Sequence, residues 1–235
     1  MLAVFSGDRS PTPKASSSKL VDAFAQRFPS LVSTNVGSLA TILYSHDAQN
    51  SSRQRSFAVK DDIFCVFEGT LENLGSMKQY YGLAKNANEV VLMIEAYKAL
   101  RDRAPYPTNR MLGHLDGSFA FVVFDKATSR VLVASDQDGK VPLYMGITAD
   151  GCLAFCDDAE ILRSACGKSL ATFPPGCFFS TSSGLTSYEH PKNKVTAIPA
   201  TEEEMWGATF KIERPHVKAT DVDLGRDCIR IMGTI

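Results

Sequence analysis

The sequence is short of several things that would direct a reading early. It has almost no net charge: 25 Lys and Arg stand against 26 Asp and Glu, a formal charge of −1. No long-range field therefore draws it to nucleic acid or to an anionic membrane. Arg53 and Arg55 cluster beside serines, but no aromatic residue interleaves with them to stack a base, so they are expected to lie on a solvated loop. No run approaches the roughly 20 apolar residues of a membrane span. The first residues, MLAVFSGDRS, lack the basic n-region of a secretory signal and the MGxxx[ST] pattern of myristoylation. The expected compartment is the cytosol, with the nucleus as the alternative.

Metal and redox signals are missing too. Of the six cysteines (Cys65, Cys152, Cys156, Cys166, Cys177 and Cys228), none forms a CxxC pair, and no zinc spacing is present. They are expected as small buried hydrophobes. Cys152 and Cys156, four apart, would share one face of a strand. His46, His114, His190 and His216 are scattered. "DQDG" at Asp136–Gly139 resembles part of a calcium loop without its closing Glu. No metal and no cofactor is assigned.

What is present is an ordinary globular composition, 44% hydrophobic and 22% charged over 235 residues, enough for a sizeable core. Met1–Phe5 reads as a strand. A helix capped by Ser18 runs to Arg27, with Leu20, Val21, Phe24, Ala25 and Phe28 on one face. "SLATILYS" from Ser38 is a strand. Two apolar runs around Lys60-Asp61-Asp62 predict a hairpin. A short helix follows within residues 72–88. Asn86 and Glu89, in capping-box spacing, open a strong helix to about Arg101, with Ala87, Val90, Val91, Ile94 and Tyr97 on its apolar face.

From Gly117 onward the pattern is strand after strand. The runs are SFAFVVFD, RVLVASD, VPLYMGI and CLAFCDD, then a short helix in DDAEILRSAC. A hairpin turning at Ser182-Ser183-Gly184 and a last strand in MWGATFKIE complete it. Hairpin-like series of strands with interspersed helices predict an α+β fold of antiparallel sheets with helices packed on them. Residues 1–213 form the expected domain, and 214–235 a partly ordered tail.

Four blocks carry a resemblance. HLDGSFAFVVFD (114–125), SDQDGKVPLYMG (135–146), AFCDDAEIL (154–162) and FPPGCFFSTSSGLTSYEH (173–190) resemble, in order and spacing, elements of class II glutamine amidotransferase domains. The glutaminase domain of asparagine synthetase is the best parallel. Within that group, "YGL" at Tyr81, Gly82 and Leu83 and "LRDR" at Leu100, Arg101, Asp102 and Arg103 resemble two signatures of a plant family of aluminium-, stress- and auxin-responsive proteins, which includes stem-specific proteins. The resemblance implies an N-terminal-nucleophile hydrolase fold, a four-layer αββα sandwich of two antiparallel sheets, in a stress-responsive plant protein.

The resemblance also implies where catalytic parts should stand. The family's first strand, C-x-I-x-G-V-F, laid over Val4 and Phe5, puts the nucleophile two positions before Met1, and an initiator Met followed by Leu2 would be retained. The family's oxyanion hole uses an Asn side chain and the next Gly amide. Here Glu68 replaces the Asn, with Gly69 kept, and an ionised carboxylate offers no donor. One lost donor of this kind costs about 2.7–4 kcal/mol of transition-state stabilisation. The Asp that would hold the substrate's amino group falls at Ala87, beside a matching Glu89, and His46 stands where the carboxylate-clamping Arg should be.

The residues Met1, Leu2, Glu68, Gly69, Ala87 and Glu89 thus mark a vestigial pocket with no catalytic residue. Glu68 is expected as a partly solvated strand-end carboxylate, or else as a receptor for an amino or basic ligand. The expected function is a non-catalytic binding or scaffold module with a protein partner or a homodimer. The competing readings are an amide hydrolase with a relocated nucleophile such as Cys65, and a sensor of a small amino-acid ligand. Tyr80, Tyr81 and Leu83 would line a binding surface or close a helix end. Arg101–Arg103 would form a docking patch or a charged helix terminus favourable to the helix dipole.

Overall fold

A computed structural model describes residues 1–6, 15–45, 54–103, 107–189, 193–199 and 207–213. His46, Arg53, Cys228 and the predicted tail 214–235 lie outside the described residues.

Two six-stranded antiparallel sheets form the body. Strand β1 (Leu2–Phe5) is central in the first. It pairs on one side with β3 (Ala40–Ser45), which pairs with β2 (Leu31–Val36). On the other side it meets β9 (Leu153–Cys156), then β8 (Tyr144–Ile147) and the short β10 (Ala171–Thr172). The second sheet runs β12 (Gly184–Ser187), β11 (Cys177–Ser180), β7 (Arg130–Ser135), β6 (Gly117–Asp125), β5 (Ile63–Leu71) and β4 (Arg55–Lys60). A hairpin of β13 (Lys194–Ile198) and β14 (Thr209–Glu213) lies outside both, with Val195 and Ile212 packed on the inter-sheet core.

Three apolar layers show how the elements stack. Met1, Ala3 and Phe5 face Val66, Ala120, Val122 and Phe124 across the space between the sheets. On the far side of the second sheet, Cys65, Phe67, Phe119 and Phe121 pack on α3 (Glu89–Asp102) together with the small helices α2 (Leu74–Tyr80) and α4 (Thr108–Gly113). On the far side of the first, Leu2, Val4, Ala154 and Cys156 pack on α1 (Ala15–Arg27) and α5 (Ala159–Cys166). The order is helices, sheet, sheet, helices, which is the predicted αββα sandwich.

Strand alternation decides which layer each side chain enters. In β5, positions 63, 65 and 67 enter the helix-side core and position 66 the inter-sheet core. Glu68 therefore points toward the first sheet and Cys65 away from it. The predicted hairpin turns at Asp61 (φ 53°) and Asp62 (φ 59°), both left-handed, as a two-residue turn between twisted strands requires. Its register is symmetric about that turn, and sets Arg55 opposite Glu68.

Several expected boundaries move. The first helix starts at Ala15, three residues before Ser18. The main helix is capped by Asn88, not Asn86: the Asn88 side chain accepts from the Val91 amide at 3.3 Å, so Ala87 falls outside the helix. Val91 is only partly buried, while Leu92, Met93 and Ala96 are buried. β2, α4 and β13 were not expected from the sequence. β2 is a polar edge strand and α4 a six-residue helix, and neither carries a full apolar face.

Candidate functional site

The site expected around Met1 and Glu68 is occupied by the protein's own charges. The Met1 ammonium, 1% exposed, lies 2.6 Å from Asp157 Oδ2, just past the end of β9. Asp157 also pairs with the Arg55 guanidinium. Arg55 donates to Glu68 Oε2 through Nε at 3.1 Å and Nη2 at 2.8 Å, and through Nη1 to the Ser45 carbonyl at 2.9 Å. The four groups alternate in sign and sum to zero.

Their placement follows from the strands. Arg55 and Glu68 are cross-strand neighbours in the second sheet, whereas Met1, Ser45 and Asp157 belong to the first. Arg55 thus ties the two sheets together at one end of the inter-sheet space. Burial works against an ionised Asp157, but the Met1 ammonium and the Arg55 guanidinium outweigh it and hold its carboxyl below the usual range.

Two expectations are corrected here. Arg55 is not a solvated loop residue: it opens β4 with a side chain 7% exposed. Glu68 is not a partly solvated strand end. It is the sixth residue of a nine-residue strand and 4% exposed, and its basic partner is internal. Arg55 and Asp157 are the members of the group that sequence reasoning missed. The signal for Arg55 was available, because a hairpin turning at Asp61-Asp62 pairs residue 55 with residue 68.

The Gly69 amide, which the resemblance would make an oxyanion donor, donates to the Gln54 carbonyl at 2.8 Å. Gly69 is required on other grounds. Its φ is +117°, and a Cβ there would sit 2.0 Å from the Ser118 carbonyl oxygen. Leu2 is buried under α1 and α5. Glu89 opens α3 in the outer layer and Ala87 lies just before its N-cap, and among the described residues no hydrogen bond or ion pair joins them to the group of four.

Thiol chemistry has little to work with among the described cysteines, all five of them free and buried. Cys65 faces α3 rather than Glu68, and burial pushes its thiol far up. Burial, with the neighbouring Asp157 carboxylate, does the same for Cys156. It raises Cys166 to about 11 and Cys177 to about 12. Cys152 and Cys156 do share one face of the sheet, as expected from their spacing. Asp136 of the calcium-like stretch is buried, and its carboxylate accepts the amides of Phe119, Asp138, Lys140 and Val141, which leaves it no role as an open ligand. Among the described residues no group of three or more His, Cys, Asp or Glu is arranged to hold a metal.

The YGL stretch is a helix stop. Gly82 is left-handed (φ +66°), its amide donates to the Gln79 carbonyl at 3.1 Å, and the Leu83 amide reaches back to Lys78 at 2.8 Å. This double closure is a Schellman motif. Tyr81 and Leu83 then pack on the core beneath α3, and Tyr80 is left 65% exposed.

LRDR divides. Leu100 packs on the core. Arg101 pairs with Asp102 and reaches the fully buried Asp125 at 3.3 Å, where the Tyr97 hydroxyl also donates at 3.2 Å. Arg101 is thus an anchor rather than part of a purely exposed terminal cluster. Asp102 and Arg103 face solvent. The end of α2 and the outer face of α3 enclose a groove of about 640 Å³, lined among others by Tyr80, Tyr81, Lys98, Asp102 and Arg103.

With the geometry in place, the relatives can be set beside it. Residues 3–212 match the family model described as "Aluminium induced protein". The chain belongs to the aluminium-induced protein family. The stem-specific protein TSJT1 of Nicotiana tabacum is 45% identical over 91 residues, 39% of this chain and 61% of that protein. The glutamine-hydrolysing asparagine synthetase of Zea mays is 32% identical over 114 residues, 47% of this chain and 19% of the enzyme. This aluminium-induced protein thus covers less than two-thirds of the length of either relative. In fold it is similar to the glutamine phosphoribosylpyrophosphate amidotransferase of B. subtilis, with a TM-score of 0.54 at 15% identity, over 78% of this chain and 47% of that one. The second solved structure, an allosteric regulatory enzyme of purine biosynthesis, gives 0.52 at 14%, with the same shares covered. The amidotransferase-like fold is therefore established by structure as well as by sequence.

Proposed function

We propose that this amidotransferase-like domain is non-catalytic and acts by binding, as a scaffold or partner module in the stress-related setting that its family's name describes. The observation that carries the reading is the Arg55–Glu68 pair. A carboxylate stands where the resemblance implies an oxyanion donor, and it is already neutralised by an arginine that bridges to Asp157 and the Met1 ammonium. The adjacent Gly69 amide is committed to Gln54. An arriving acyl oxyanion would meet a carboxylate and a used donor, the reverse of preorganised stabilisation. An amino-acid ligand would have to displace a closed, charge-balanced network, which disfavours the sensor reading. A relocated nucleophile at Cys65 is disfavoured by its orientation toward α3.

The test is ammonia release from glutamine and from asparagine by purified protein whose intact mass is known, run beside an active glutaminase domain. No release above buffer is expected. Release that scales with protein and disappears in Cys65→Ala would sink the proposal. For the binding half, cross-linking followed by size-exclusion chromatography reads self-association. A chain that remains monomeric and captures no partner through the groove between α2 and α3 would remove the scaffold reading.

A further inference from the structure

Arg101 and the turn between β11 and β12 meet at a second, smaller feature on the far side of the last turn of α3. A cleft of about 100 Å³ lies there, lined among others by Arg101, Arg130, Ser180, Thr181 and Ser182. That is roughly three water volumes at about 30 Å³ each, the scale of one small anion. Arg101 and Arg130 line it, and no carboxylate is among its described lining residues. The Arg101 guanidinium is already paired with Asp102 and, behind the cleft, with Asp125, whose oxygens are taken. Oδ1 accepts the amides of Ala127 at 3.0 Å and Thr128 at 3.3 Å, and Oδ2 accepts the Tyr97 hydroxyl at 3.2 Å and Arg101 Nη1 at 3.3 Å.

The remaining donors look outward. Arg130 is exposed at the start of β7 and has no ion pair among the described residues. The Thr181 hydroxyl oxygen accepts the Val131 amide at 3.3 Å, which leaves its hydrogen to donate. The Ser182 hydroxyl lies 3.1 Å from that of Ser180 and shares a hydrogen with it. A planar guanidinium fork beside hydroxyl donors, with no unsatisfied carboxylate among them, is matched to a tetrahedral oxyanion rather than to a cation or an apolar group.

We infer that this cleft binds a phosphate-type oxyanion, with Arg130 as the direct contact and Thr181 and Ser182 as hydroxyl donors. The site is separate from the central group of four and does not rest on the proposed lack of catalysis. The ligand would be either free phosphate or the phosphate of a phosphorylated serine.

The experiment is a titration of the ¹⁵N-labelled full chain at constant ionic strength with inorganic phosphate, with phosphoserine and with chloride. Saturable amide shifts confined to Arg130, Val131, Thr181 and Ser182 are expected for a phosphate source, with a dissociation constant on the order of 1 mM. Arg130→Ala, at an exposed position with no ion pair among the described residues, keeps the fold and weakens binding about tenfold or more. Ser182→Ala weakens it less. Tighter binding of phosphoserine would assign the site to a phosphorylated chain, and tighter binding of inorganic phosphate to the free ion; either supports the inference. Shifts that follow chloride equally, that spread over the surface, or that persist unchanged in Arg130→Ala would overturn it.

Discussion

Replacing Arg55 by Met gives the sharpest test of how the sheets are joined. The change keeps most of the side-chain length and removes the charge. Glu68, 4% exposed, then loses its ionic partner, and the Ser45 carbonyl loses a donor. Asp157 keeps the Met1 ammonium. Stranding one carboxylate of a buried pair costs about 3–5 kcal/mol, against about 0–1 kcal/mol for an exposed one. In a chain of this size that is a fall in Tm of roughly 6–20 °C.

The companion double variant Arg55→Met/Glu68→Met removes the stranded charge as well and should recover about half of the loss or more, because the pair is worth less than its halves left apart. Urea unfolding of the wild type, both single variants and the double variant measures this cycle. The pH dependence carries a sign of its own. Asp157 has a folded pKa below its unfolded value, so its contribution is complete above about pH 4 and is lost as pH falls through the folded value. A loss under about 1 kcal/mol at neutral pH, or a double variant no better than Arg55→Met, would refute the reasoning.

Other consequences can be checked separately. Gly82→Ala should cost about 1–2 kcal/mol by urea unfolding, purely from the left-handed backbone, since nothing lies within 4 Å of the added methyl. Gly69→Ala should be far worse, above about 4 kcal/mol or with no folded protein recovered, because the new Cβ would sit 2.0 Å from the Ser118 carbonyl. Adding Gly-Ser ahead of Met1 should lower Tm by displacing the ammonium from Asp157; an unchanged Tm, with mass confirming the extension, would show that the contact carries no stability. At pH 8, the five described cysteines should resist a thiol reagent until urea unfolds the chain, since burial raises Cys166 to about 11 and Cys177 to about 12. Fast labelling of the folded protein at any of them, read by peptide mass, would contradict their burial.

The layers were legible in the sequence because alternation and turn chemistry are local. SFAFVVFD, the Asp61-Asp62 hairpin and the Ser182–Gly184 turn each carry their own signal, and the structure has all three. β2 was not legible. LVSTNV lies at a sheet edge, with Val32, Ser33 and Asn35 exposed and Ser, Thr and Asn consecutive in its middle, so half its pattern reads as loop. The N-cap at Asn88 was missed for a narrower reason: Asn86 and Asn88 are both residues of N-cap type, and the Asn86–Glu89 spacing pointed to the one that the helix does not use. YGL was legible as a short motif but not as a helix stop, since the reach of Leu83 back to Lys78 is a property of backbone closure rather than of residue type.

The candidate site shows where local reading ends. Met1 and Glu68 were singled out from a resemblance, one residue at a time, as departures from a catalytic pattern. What relates them is Arg55 and Asp157, which lie 102 positions apart in sequence and meet because one borders the second sheet and the other closes a strand of the first. The same strand positions that would aim donors at an oxyanion instead aim opposite charges at each other across the sheets. A buried carboxylate without that arginine would be costly, and a buried arginine without two acids equally so. Glu68, Arg55 and Asp157 are therefore interdependent, and reversal of the Glu68 substitution alone should not restore an open pocket. In Glu68→Asn the guanidinium still pairs with Asp157 and the Ser45 carbonyl, and the Gly69 amide still donates to Gln54. Such a variant should release no more ammonia from glutamine than the wild type. Activity gained by this single change would mean that the Arg55 network yields readily to substrate, and that the interlock between the sheets is weaker than its geometry implies.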